Sequence, residues 1–284
     1  MQRVLFISPH LDDAVLSCTG AIIRYRQTGI EPYVVTLFSG PTTDPHYLMR
    51  RKEDENALQL LNIQGIYLDA LDAPYRRKDY HNVSTLLFHH QVPPLEQDLV
   101  QTMSLWLQEL LLDLHPERVF FPLGVGGHID HHVTFASSLL LHHLSIPFTY
   151  YEELPYALLP GWNSVRLWQL QAKPGSCSSS PLQKIPLPQV PCFFLHHYLR
   201  SQEDQAASQI LYDLEWDIPL NANPSTWSFQ EKTLAPSSLS LSHKELRQKC
   251  QAVLCYTTEW PSLFGPKAAS LKQALPTESY WNYL

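Results

Sequence analysis

An open α/β fold, with a mostly parallel sheet flanked by helices, is what this sequence predicts, and three observations predict it. Short, nearly continuous apolar runs recur at 4–7, 32–38, 66–68, 118–122 and 147–151, the pattern of strands buried on both faces. Between them lie segments with apolar residues three and four apart, the period of amphipathic helices. Glycine, proline, serine and aspartate gather where each run ends, marking turns. Strand and helix alternating in this way imply parallel pairing with right-handed crossovers.

Taken in order, Val4 to Ile7 is the first strand, stopped by Ser8-Pro9. His10, Asp12 and Asp13 follow, then a helix over 14–28 that ends at Gly29. Gly20 within it predicts close packing of helix on strand. Residues 32–38 form the second strand, closed by Ser39-Gly40-Pro41 and a turn-rich loop over 41–46. A charged helix over 47–61 follows, whose run from Arg50 to Glu55 reads mainly as a solvated face. The third strand, 66–68, ends in Asp69-Ala-Leu-Asp72. Residues 79–95 read as a polar, His-rich excursion outside the core. A helix over 96–114, a strand over 118–122, a helix over 133–143 and a strand over 147–151 continue the alternation.

After residue 156 the rhythm changes. Residues 164–171 and 191–195 read as strands on either side of a Ser/Pro-rich loop over 173–189. A helix over 198–213, a Pro/Asn/Ser-rich stretch over 218–242 and a helix over 243–255 complete the pattern, with no internal repeat. The expected organisation is a Rossmann-like core over residues 1–160 and a C-terminal α+β extension over 161–284 packed on it as one structural unit.

Of the 284 residues, 44% are hydrophobic and 17% charged, which describes a folded chain with a rather uncharged surface. A net charge of -7 without a long Lys/Arg block excludes a phosphate-tracking nucleic-acid binder. No run approaches a membrane span, and the opening apolar run is too short for a signal peptide. Five cysteines without CxxC spacing read as reduced thiols in a cytoplasmic protein. Cys18 reads as a small buried residue. Eight of the 14 histidines fall in adjacent pairs, of which His89, His90, His132, His142, His143, His196 and His197 read as packing or surface residues.

The chemistry concentrates in two loops: His10-x-Asp12-Asp13 after the first strand and His128-x-Asp130-His131 after the fourth. Open α/β sheets bind ligands beyond the carboxyl ends of their strands, so loops far apart in sequence can converge there. A polar turn with an aspartate near a helix N-cap is the plainer alternative for the first loop. Two imidazoles and one carboxylate suit an open zinc site. The remaining groups have the chemistry of a general base, an acid or oxyanion stabiliser, and an orienting carboxylate. Gly124-x-Gly126-Gly127 lacks the context of a dinucleotide fingerprint and reads as room for close backbone approach.

Pro9-His10-Leu11-Asp12-Asp13, Gly20 and His128-Ile-Asp130-His131 together resemble the PIG-L/LmbE-like zinc N-deacetylases, which remove acyl groups from N-acylated glucosamine units and related glycosides. Arg50-x-x-Glu53-x-x-x-Ala57, Leu68-Asp-Ala-Leu-Asp72, Tyr151-Glu-Glu-Leu-Pro-Tyr156 and Glu278-Ser-Tyr-Trp281 are similar to further family patterns. The resemblance implies one Zn²⁺ per chain, with Fe²⁺ as the alternative occupant, held by His10, Asp13 and His131. It implies Asp12 as general base, and His128, held by Asp130, as oxyanion stabiliser and proton donor to the amine. Arg50 and Asp72 would bind substrate hydroxyls, although Asp72 could equally cap a turn. Some members carry a tyrosine two residues before the first histidine of the second motif; here that position is Gly126, and Tyr75 and Tyr151 are the aromatic candidates for its role.

The expected partner is a small sugar or glycoconjugate, with residues 41–49, 73–95 and the extension setting specificity; the oligomeric state is open. Two competing functions are a non-haem iron oxygenase using His128, Asp130 and a distal histidine, and a non-catalytic sugar-binding protein. Strand-to-helix turns count against the first, and the full set of polar positions against the second.

Overall fold

The computed structural model describes residues 2–87, 89–158, 162–170, 234–264 and 269–283. Five strands pair in parallel: β1 (Arg3–Ser8), β2 (Glu31–Thr36), β3 (Gln64–Tyr67), β4 (Arg118–Pro122) and β5 (Phe148–Tyr151). Two antiparallel strands, β6 (Leu234–Ser240) and β7 (Thr277–Tyr283), complete one sheet in the order β3-β2-β1-β4-β5-β7-β6. The main helices are α1 (Asp13–Gln27), α2 (Pro45–Leu61), α3 (Gln97–Leu114), α4 (Ile129–Leu139), α5 (Trp162–Gln169) and α6 (His243–Val253). The α/β class and the flanked, mostly parallel sheet agree with the sequence reading. The expected strand at 191–195, the loop at 173–189 and the helix at 198–213 lie outside the described residues.

The sheet order explains how the two motif loops meet. From β1 the chain winds outward to β2 and β3, then returns to place β4 on the other side of β1. Val4, Leu5 and Phe6 pair with Arg118, Val119 and Phe120, so the loops leaving β1 and β4 emerge side by side at the topological switch point. Val4 to Ile7 are fully buried, as a central strand covered on both faces requires.

Several expectations are corrected. Of the strand expected over 164–171, residues 164–169 lie in helix α5 instead; Val165, Arg166 and Leu167 are all buried, so the helix is covered on more than one side. Residues 234–240 of the Pro/Asn/Ser-rich stretch are the edge strand β6. The 79–95 excursion contributes Tyr80, Leu86, Leu87 and Val92 to the core. Gly20 is small because the C-terminal segment lies against it: a Cβ there would meet Leu241 and Glu278. The Glu278 carboxylate accepts hydrogen bonds from the Gly20 and Ala21 amides (2.7 and 3.1 Å), from Tyr280 Oη (2.5 Å) and from the fully buried Lys249 Nζ (2.7 Å). A buried carboxylate satisfied by four donors fastens the chain's end to α1.

The charge run on α2 is not all solvated, since Glu53 and Asp54 are buried. Asp54 accepts from Tyr256 Oη (2.6 Å) and Tyr67 Oη (2.8 Å). Burial outweighs those bonds and pushes its carboxyl up to about 7. A folded-state pKa above the unfolded value means that the native chain binds the extra proton, so this contribution to stability is full below about pH 4 and is lost as pH rises through 7. Asp54→Asn removes the titration, and its melting temperature is expected to fall less than wild type's between pH 5 and pH 8. Between those two pH values the difference amounts to roughly 2.5 kcal/mol; parallel pH dependences in the two proteins would refute the assignment.

Candidate active site

Ser8 ends β1, and its hydroxyl donates to the His10 carbonyl (2.6 Å) while accepting from the Ala14 amide (3.0 Å). This tight turn places His10, Asp12 and Asp13 over the start of α1. Asp13 opens the helix and its Oδ2 accepts from the His10 amide (2.9 Å). The same oxygen lies 3.3 Å from His10 Nδ1 and 3.3 Å from His131 Nε2. Two ligands about 2.0–2.1 Å from one tetrahedral ion stand about 3.3 Å apart, so the spacing already suits a shared cation. Ring nitrogens of His10, His128 and His131 also lie within 4.8 Å of one another.

Each of these two histidines is backed by carboxylate on its other nitrogen. His131 Nδ1 lies 3.2 Å from Glu153 Oε1, and His10 Nε2 lies 3.1 Å from Asp130 Oδ2 and 3.5 Å from Asp72 Oδ1. Such partners fix ring orientation and raise the basicity of a ligating imidazole. Burial would depress both histidines, but the surrounding carboxylates win: His131 is held up at about 9, largely by Asp13, and His10 well above its ordinary value, largely by Asp72. The Asp13 carboxyl is held well below the usual range by His131 and His10, against burial. Negative charge in excess is what a cation would neutralise.

Glu153 lies in the Tyr151–Tyr156 pattern of the sequence but received no role there. It is fully buried just beyond β5, where it also accepts from the Gly124 and Val125 amides (2.6 and 3.1 Å). Its position after a strand's carboxyl end was the available signal. Glu153→Gln is expected to weaken divalent-cation binding by about 10- to 100-fold. Competition with a chromophoric chelator measures this, and an unchanged affinity would remove Glu153 from the role.

The second motif is arranged differently from expectation in one respect. The Asp130 carboxylate meets Arg76 (2.6 Å), the Ala73 amide (3.0 Å) and His10, while the backbone amide of Asp130 donates to His128 Nδ1 (3.1 Å). His128 is the N-cap of α4, and its Nδ1 serves as the capping acceptor. That bond leaves the imidazole proton on Nε2. Burial, with His10 and His131 close by, keeps His128 well below its ordinary pKa and therefore neutral. Asp12 is buried beside Asp13, and these two effects push its carboxyl up to about 7 against the pull of Arg50.

Arg50 and Asp72 come together at the edge of this cluster, 4.0 Å apart, and the Tyr47 hydroxyl donates to Asp72. Both tyrosines considered for the place of Gly126 have hydrogen-bond partners outside the cluster. Tyr151 Oη donates to the Ile7 carbonyl (2.8 Å), and Tyr75 Oη to Asp44 (2.9 Å). Instead Tyr156 packs edge-on to His131, and a Cβ at Gly126, whose φ is +85°, would run into its ring. His132 is buried, and its Nε2 lies 3.2 Å from the Gly124 carbonyl.

Residues 5–140 match the PIG-L family, described as GlcNAc-PI de-N-acetylase. The chain is 24% identical over 207 residues to a 2'-N-acetylparomamine deacetylase of Niallia circulans, covering 58% of this chain and 74% of that one. It is 25% identical over 169 residues to the protein of that name from Streptomyces fradiae, covering 55% and 58%. Among solved structures, a deacetylase of teicoplanin biosynthesis superposes with a TM-score of 0.65 at 22% identity, covering 100% of this chain and 98% of that one. The A40926 pseudoaglycone deacetylase superposes with a TM-score of 0.60 at 21% identity, covering 100% and 97%. At such identities the structural likeness speaks for the fold.

Proposed function

The chain carries a PIG-L-family domain over residues 5–140, and on that premise we propose that it is a metal-dependent N-deacetylase of an N-acetylated amino sugar or glycoconjugate. The observation that carries the reading is the convergence of His10 Nδ1 and His131 Nε2 on one Asp13 oxygen, at 3.3 Å each. His10, Asp13 and His131 would hold the metal, and three N/O ligands leave a tetrahedral position open. Zinc fits this donor set. A divalent cation held there supplies Lewis acidity, polarising an amide carbonyl and bringing a water's pKa toward neutrality.

The chain's own groups supply the proton handling. Asp12, with a carboxyl near 7, is poised to accept a proton from the attacking water at neutral pH. That proton is then available to the nitrogen that departs when the C–N bond breaks. His128, neutral and with its proton on Nε2, donates toward the oxyanion that forms on the carbonyl oxygen. Asp130 keeps His10 and Arg76 in place rather than His128. Arg50 and Asp72 receive the sugar hydroxyls. Acetate release from N-acetylglucosamine glycosides by the zinc-loaded protein tests the reading; no release from any glycoside with metal bound would overturn it.

A further inference from the structure

A cavity of about 560 Å³ lies between the last turns of α1 and the face of β4, β5, β7 and β6, within the size range of small-molecule pockets. Arg24, Tyr25 and Thr28 line it from α1. Arg118 and Thr149 line it from the amino ends of β4 and β5. His128 and Glu153 follow the carboxyl ends of those same strands, so the cavity and the histidine cluster occupy opposite ends of the sheet. Part of the cavity is aromatic. Phe120 stacks on Phe6, with ring centres 4.5 Å apart, and meets Tyr25 and Tyr280 edge-on at 5.9 and 5.5 Å. Such rings offer apolar surface to a flat apolar body.

Beside the rings, a row of side-chain hydrogen bonds crosses four strands. Arg118 Nη1 donates to Thr149 Oγ1 (2.7 Å), Thr149 Oγ1 to Asn282 Oδ1 (3.0 Å), and Asn282 Nδ2 to Ser237 Oγ (3.1 Å). Every donation runs in the same direction. The protons left over are the remaining guanidinium N–H groups of Arg118, the second amide proton of Asn282 and the Ser237 hydroxyl proton. No Asp or Glu lines the cavity among the described residues, whereas two arginines do. Arg24 is already paired with Glu245 at 2.8 Å; Arg118 meets a hydroxyl instead. A carboxylate brings acceptors without donors and pairs with a guanidinium through charge-assisted, often bidentate bonds. We propose that this cavity is a second ligand site, one that takes a small carboxylate with a flat apolar body. The body lies against Phe120 and Tyr280, and the carboxylate faces Arg118 and Asn282. The proposal does not depend on the N-deacetylase reading.

The test is calorimetric binding of naphthoate and of its neutral amide, naphthamide, to the full chain. Wild type should bind naphthoate tighter than naphthamide by roughly tenfold or more. Arg118→Gln should weaken naphthoate by roughly tenfold and naphthamide little, so that the preference largely disappears. Ser237→Trp places a large ring in the cavity from an exposed position on the edge strand β6. It should abolish binding of both probes while the melting temperature stays near that of wild type. Where that variant fails to fold, Arg118→Gln still decides the outcome. Binding of neither probe to wild type overturns the proposal, as does equal affinity for the two. A naphthoate affinity unchanged by Arg118→Gln overturns it as well. Binding that survives in folded Ser237→Trp puts the carboxylate elsewhere, the histidine cluster included, and also overturns it.

Discussion

His131→Gln is expected to strip the bound metal and to lower acetate release on the order of 10³-fold or more. His131 stands between two carboxylates, with Nε2 3.3 Å from Asp13 and Nδ1 3.2 Å from Glu153. Its side chain is 1% exposed, so no solvent molecule outside the fold takes its place easily. Without it His10 and Asp13 are left as the proposed ligand set, and two protein ligands do not hold zinc as three do. Glutamine retains a donor for the neighbouring carboxylates; alanine would take one partner from each of these buried groups, a change that destabilises by itself. Metal analysis after dialysis reads the outcome directly: about one equivalent on wild type and far less on the variant. Full occupancy in the variant would move the ligand role elsewhere, first to His128, whose ring nitrogen lies within 4.8 Å of the others.

The parts of this site that could be read from sequence are those whose geometry is local. His10 and Asp13 share one turn, and His128 and His131 share the start of α4. Both turns follow apolar strands, and the carboxyl-end rule carries them to the same edge of the sheet. The residues that could not be read are held by long-range pairing. Glu153 belongs to His131 across 22 positions, Tyr256 to Asp54 across 202, and Glu278 to Gly20 across 258. Strand ends and pattern matches can single out Glu153 or Glu278, but no spacing in one sequence announces which partner each one meets. The charge run 50–55 shows the same limit, because Glu53 and Asp54 look like solvated residues until the C-terminal segment covers them. Helix α5 was misread for a related reason. Val165 and Leu167 alternate as in a strand, and a helix of eight residues with Val165, Arg166 and Leu167 all buried shows no clear helical period.

Asp12→Asn is the counterpart of the His131 substitution, because it is expected to separate metal binding from turnover. Asp12 is not among the atoms that converge on the Asp13 oxygen, so the variant should retain about one equivalent of zinc. Asparagine is close in shape but cannot take a proton from water, and loss of a positioned general base costs typically 10²- to 10⁴-fold. The pH profile carries the finer test. The Asp12 carboxyl is raised to about 7 by burial and by Asp13, and only its ionised form acts as a base. Activity in wild type should therefore rise with pH along an acid limb. A bound cation stabilises the carboxylate, so the midpoint should lie at or below about 7. The residual activity of Asp12→Asn should lack that limb. If the variant loses activity but keeps the limb, the ionisation belongs to another group and Asp12 acts by holding substrate. If it keeps both its metal and its rate, the proton is taken elsewhere, and the general-base assignment fails.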